Sequence, residues 1–287
     1  MVSSGLKANF KIFTLLSVLT GLFLGAGLLI GGRSGMIIAF VFAALMNLGT
    51  YWYSDKLVLK MYGAEEITEE ENKKIHEMVE DLSREAGIPK PRIFKNDMQA
   101  PNAFATGRNP EKGVVCVTQG LMDTLEEDEV SGVIAHELAH IRNRDTLVNS
   151  VVATIAGAVG ILAEMAFWGA MLGGREEEGE MISALALMIL TPLIATVIRM
   201  AISRSMEFRA DSGAVEISGE REGLSSALQK ITQSSSQPLQ RHASRSQEAA
   251  ANLFISNPFS GDKITKWFST HPPLEERLDN IRNTEVE

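Results

Sequence analysis

The stretch "SGVIAHELAHIRNRD", residues 131–145, sets two histidines four apart with a glutamate directly after the first, in a chain that has only five histidines among 287 residues. Positions i and i+4 of a helix share a face, with Cβ atoms about 5 to 6 Å apart, so the imidazoles of His136 and His140 can reach one zinc ion. A catalytic zinc takes three protein ligands and keeps one position open. Glu207, in "SRSMEFRADSG", is the natural third. Taken alone, Glu207 and Asp211 read rather as an exposed charged helix face. Their place in the chain selects them instead, and Asp211, one turn beyond Glu207, can then accept a hydrogen bond from His136 and fix its tautomer. Glu137 stands too near His136 to be a comfortable ligand beside it. Its expected work is that of a general base, taking a proton from the water that attacks a carbonyl and passing it to the leaving amine.

What must position these residues is a set of apolar segments. The sequence carries no charge from Ile12 to Gly32 and none from Ser34 to Ser54. Each run is long enough to cross a hydrocarbon core of roughly 30 Å. The second ends in Tyr51, Trp52 and Tyr53, residues suited to a membrane interface. A third run starts at Thr146, interrupted by Glu164, and a fourth goes from Met181 to Ile198. The expectation is four transmembrane helices, with a buried helical hairpin in a globular core as the alternative for the second pair. His136 and His140 precede the third span by about a turn and a half, and Glu207 follows the fourth by as much, so an antiparallel hairpin would bring them to one membrane surface. Lys7, Lys11, Lys56, Lys60, Arg142, Arg144, Arg204 and Arg209 fall on one side of this arrangement, and only Arg33 and Arg175 on the other. The bias of basic residues toward the cytoplasmic loops places both termini and the histidine pair in the cytosol. The single Cys116 suits a reducing compartment.

Composition agrees with this division. A chain that is 45% hydrophobic is too apolar for an ordinary soluble enzyme, and a net charge of −9 gives no reason to expect nucleic acid. Residues 1–54 form an N-terminal transmembrane hairpin, 55–145 and 203–287 the two parts of one cytosolic domain, and 146–202 a second hairpin between them. Within the domain, "ITEEENKKIHEMVEDLSREAGI" predicts an amphipathic helix opened by a capping box of Thr68 and Glu71, with His76 on its surface. "PRIFKND" and "GVVCVTQG" predict strands. "APNAFATGRNP" between them predicts a loop or edge strand, and the chain turns helical from Glu126. "SSSQPLQRHASRSQEAA" predicts a loop that leaves His242 solvated. "STHPPLEERL" predicts a proline-started helix with Leu274, Leu278 and Ile281 inward, preceded by His271.

"PNAFATG", "HELAH", "SRSMEFRAD" and "THPPLEERL", in this order along the chain and interleaved with paired apolar spans, resemble the HtpX family of bacterial membrane zinc metalloproteases, relatives of the CAAX prenyl endopeptidases. The resemblance covers essentially the whole chain. It implies a mainly α membrane protein with four transmembrane helices and an α+β gluzincin-type zinc protease domain facing the cytosol of the inner membrane. The implied work is endoproteolysis of misfolded or damaged membrane proteins in a stress response, alongside other membrane quality-control proteases. It implies one zinc per chain on His136, His140 and Glu207, with Glu137 as general base. Asn102, Ala103, Phe104 and Ala105 then resemble a segment beside the cleft, where an edge strand pairs with an extended substrate. His271, at a helix N-terminus that favours neutral imidazole, is the expected donor to the oxyanion, with Arg209 or Asn102 as substitutes. Two other readings stay open: a deformylase-type zinc amidohydrolase with Cys116 as third ligand, and a membrane scaffold whose histidines are structural.

Overall fold

The computed structural model describes residues 4–152, 204–235, 255 and 272–285. The second apolar pair beyond residue 152, the serine-rich stretch with His242, and His271 lie outside the described residues.

The first two charge-free runs fall in one helical stretch, α1 (Ser4–Met61), of 58 residues. A straight helix would hold residues 27 apart at about 40 Å. Yet Asn47 Nδ2 donates to Thr20 Oγ1 at 2.9 Å, and the rings of Phe23 and Phe42 meet edge-on with centroids 5.5 Å apart. Both pairs straddle Gly32, whose φ of +57° is open to a residue without a Cβ. α1 is therefore a hairpin folded at Gly32. Among the described residues, one helical segment, Gly32–Gly49, is long and apolar enough to cross a membrane, and Ile12–Gly25 is a shorter apolar stretch.

Four short strands follow: β1 (Glu65–Glu66), β2 (Arg92–Asn96), β3 (Ala103–Thr106) and β4 (Val114–Thr118), in the order β1-β2-β4-β3. β2 runs parallel to β4 with Arg92 opposite Val114. β3 runs antiparallel on its other side with Phe104 opposite Cys116, which leaves β3 at the edge. The alternation along β4 is not polar against apolar, because both faces are covered. Val115 and Val117 enter the main core, whereas Val114 and Cys116 join Phe94, Phe104, the end of α1 at Val58 and Leu59, and Tyr62 just beyond it.

The helices are α2 (Lys73–Ala86), α3 (Gln119–Thr124), α4 (Glu127–Asn143), α5 (Arg204–Ser218), α6 (Glu222–Ser235) and α7 (Leu274–Asn283). α2 starts later than its sequence suggests. Thr68 and Glu71 do bond reciprocally, with Thr68 N–H to Glu71 Oε2 at 2.7 Å and Glu71 N–H to Thr68 Oγ1 at 3.3 Å. They close a turn, and the cap itself is Asn72, which accepts from Ile75 N–H at 3.2 Å. His76 is half-buried rather than on the surface, its Nε2 2.9 Å from the Ile67 carbonyl.

α4 lies at the centre, packed by α2, α5, α6 and β3. Val133, Ile134, Leu138 and Ile141 are fully buried on it, each such side chain stabilising the fold by about 1.5 to 3 kcal/mol. α5 approaches α4 closely at Gly213, where a Cβ would stand 2.9 Å from that of Ala139 and 2.8 Å from Arg142 Nη2. That contact sets the height at which Glu207 faces the histidines.

Candidate active site

Because the middle of α4 is covered on all sides, the polar residues there are buried with it: His136, Glu137 and His140 are at most 5% exposed. α5 crosses above them and contributes Glu207 and Asp211. His136 Nε2 lies 3.9 Å from Glu207 Oε2 and His140 Nε2 lies 3.6 Å from Glu207 Oε1. One ligand atom from each of the three falls within 4.8 Å of the others. Tetrahedral zinc with bonds near 2.1 Å separates its ligand atoms by about 3.4 Å, so a small inward movement suffices. Among the described residues this is the group of histidine, cysteine and carboxylate side chains able to hold a metal.

Both rings turn Nε2 toward Glu207 and Nδ1 toward an aspartate. His136 Nδ1 is 3.0 Å from Asp211 Oδ1, and His140 Nδ1 is 3.4 Å from Asp145 Oδ2. Each aspartate is in turn held by an arginine. Arg277 donates to Asp211 through Nε at 2.9 Å and Nη2 at 2.6 Å, and its Nη1 stands 3.8 Å from Glu207. Arg209 Nη2 donates to both Asp145 oxygens at 2.8 and 3.0 Å.

Four carboxylates, Glu137, Glu207, Asp211 and Asp145, thus meet two guanidiniums, which leaves an excess of two negative charges in a buried site. The proton affinities reflect the imbalance. Burial pushes Glu137 up to about 7, the charge of Glu207 adds to this, and His140, the Ala105 backbone N–H and Arg277 oppose it. Burial by itself would lower His140, but Asp145, Glu207 and Glu137 raise it to about 9. His136 is lowered to about 4, first by burial and then by His140 and Arg277. Asp211 would be raised by burial, yet Arg277 and His136 hold it below the usual carboxylate range. A site that gathers protons on Glu137 and His140 is one whose donor set fits a divalent cation.

The sheet edge reaches the same place. The backbone of Ala105 stands beside the Glu137 carboxylate and favours its charged form. Asn102 is buried and anchors the start of β3, its N–H donating to Thr118 Oγ1 at 2.9 Å and its Oδ1 accepting from Ala103 N–H at 3.1 Å. Phe104 points the other way, its ring 5.5 Å from that of Tyr62. Cys116 lies on that far face too, and burial, followed by the charge of Glu137, raises its thiol far above the usual range. It is not among the residues grouped around a metal.

Three participants escaped the reading of the sequence. Arg277 had a signal: with Leu274, Leu278 and Ile281 it completes an i, i+3, i+4, i+7 stripe, and an arginine in an apolar stripe is buried only when paired. Asp145 had only its nearness to the motif. Ile255 had none, yet its N–H donates to the Ala103 carbonyl at 3.3 Å and its carbonyl accepts from Arg277 Nη1 at 3.1 Å.

Comparison with known proteins gives the family. Residues 69–285 match the model of "Peptidase family M48". A "Protease HtpX homolog" of Persephonella marina is 51% identical over 274 residues, covering 94% of this chain and 95% of that relative. A "Protease HtpX" of Legionella pneumophila is 47% identical over 277 residues, covering 96% and 98%. A crystal structure of S. mikatae Ste24p aligns with 98% of this chain and 67% of its own, at 18% identity and a TM-score of 0.47. With the match spanning the helix of the two histidines, that of Glu207 and that of Arg277, the chain belongs to peptidase family M48 and is a metalloprotease of the HtpX kind.

Proposed function

We propose that this protein is a membrane-anchored zinc endopeptidase that hydrolyses peptide bonds of misfolded or damaged membrane proteins at the cytosolic face of the membrane. The observation that carries the reading is the buried cluster of His136, His140 and Glu207 beside a glutamate whose pKa is raised to about 7. His136, His140 and Glu207 would hold the ion. Bound there, zinc supplies Lewis acidity, which lowers the pKa of water toward about 7 and polarises the scissile carbonyl. Glu137, buried and unable to leave the site, takes the proton of the attacking water and returns it to the leaving amine. Asp211 keeps the Nδ1 proton of His136 in place, and Arg277 keeps Asp211 charged. The segment Asn102–Ala105, whose Ala105 backbone stands beside Glu137, lines the cleft for an extended substrate, and His271 donates one N–H to the oxyanion.

The anchor is the hairpin of α1. Phe13 and Ile38 are 71% exposed and Leu45 66%, side chains that would form a large apolar patch in water and rest without cost in lipid. Residues 146–202 would form a second hairpin, with 55–145 and 203–287 joined as one protease domain.

Glu137→Gln tests the chemistry. It removes the base but no ligand, so the variant should keep a full equivalent of zinc and lose cleavage of an unfolded membrane-protein substrate by several orders of magnitude. Substantial residual turnover would remove Glu137 from the mechanism, and absence of zinc from the purified wild type would remove the zinc.

A further inference from the structure

His136 and His140 receive the same treatment from different parts of the chain, and only one arm belongs to the helix that carries Glu207. For the other, α4 ends at Arg144, a non-glycine residue with φ of +62° whose N–H donates to the Ile141 carbonyl at 3.0 Å. Had α4 continued, residue 145 would stand about 140° around the helix from His140, facing away. The left-handed residue redirects the chain instead, so that Asp145 starts the next helical segment and turns back. Its carboxylate is 7% exposed and lies 3.4 Å from His140 Nδ1, while His140 Nε2 points at Glu207. When Nε2 ligates a metal, the ring proton resides on Nδ1 and needs an acceptor. Arg209, half-exposed on α5 two residues beyond Glu207, grips both oxygens of that acceptor from the solvent side.

Resting on the zinc reading above, we propose that Asp145 is a positioning residue that, clamped by Arg209, fixes the tautomer and tilt of His140, so that the turn after the histidine motif is part of the metal site. A plain ion pair between α5 and the chain after α4 would hold equally well one turn away from the ring. The contact with Nδ1 is what makes this one a metal-site element.

The experiment measures zinc affinity of the full chain in detergent by competition with a chromophoric chelator, together with the visible spectrum of the cobalt(II) form. Asp145→Ala should bind zinc about 10- to 100-fold more weakly and alter the cobalt spectrum, with the helical circular dichroism unchanged. Arg209→Gln should weaken zinc severalfold, and adding it to Asp145→Ala should change nothing further, because Arg209 acts through Asp145. Wild-type zinc affinity and cobalt spectrum in Asp145→Ala would overturn the proposal. If that variant does not fold, wild-type affinity in Arg209→Gln overturns it equally. His140→Ala serves as the control: retention of zinc there would defeat the zinc assignment itself rather than the role of Asp145.

Discussion

At the scale of single residues, the site is a charge balance awaiting a cation. In the metal-free protein His140 keeps its proton up to about pH 9 and Glu137 up to about 7, whereas His136 is already neutral above about 4. A metal on His140 must displace its proton, so apparent zinc affinity should rise with pH by about tenfold per unit up to about 9 and level off above it. Chelator competition from pH 6 to 10 checks this, and a flat profile would show that the carboxylates do not act on His140. Arg277 obeys the same balance: its removal leaves Asp211 buried with an uncompensated charge. Arg277→Met should therefore cost about 3 to 5 kcal/mol, read by urea unfolding of the detergent-solubilised protein. Pairing it with Asp211→Asn should recover much of that loss, and an unchanged midpoint in the single variant would mean that Asp211 is not charged.

Among the elements, the decisive relation is α5 against α4. The residues that would hold a metal come from helices 67 residues apart in sequence at His140 and Glu207, and the absence of a side chain at Gly213 allows the approach that joins them. Gly213→Val inserts a side chain whose Cβ alone would come within 2.9 Å of Ala139. It should destabilise by about 1 to 3 kcal/mol and release zinc by lifting Glu207 from the histidines. Stoichiometric zinc in that variant, measured by atomic absorption, would show that the helices have slack there. β3 holds a comparable position: its inner edge is spent on β4, and its outer edge lies against Glu137 and Ile255.

For the whole molecule, the question is what the hairpin of α1 does. Its turn at Gly32 and the protease domain lie at opposite ends of two apolar arms. In a Cys116→Ser background, cysteines introduced at Ser34 and Asp81 should react with an impermeant maleimide from opposite sides of sealed vesicles. Labelling of both from one side would refute the anchor and favour a hairpin packed in a protein core.

The chemistry was legible in the sequence because it is local: a four-residue spacing puts two imidazoles on one helix face whatever surrounds them, and the motif order identified the relatives. Strands β2 and β4 and helices α2 and α4 were legible for the same reason, since periodicity is a property of neighbours. Glu207 could be nominated only through an assumed hairpin, and the starting point of α2 was misjudged because Thr68 and Glu71 bond identically in a turn and in a cap. What tertiary structure alone decided is which charges face which. Arg277, Asp145, Arg209 and the backbone of Ile255 converge on the histidines from segments whose spacing encodes nothing about one another. Burial turns those meetings into shifted proton affinities, and burial is a property of the packed chain rather than of any stretch of it.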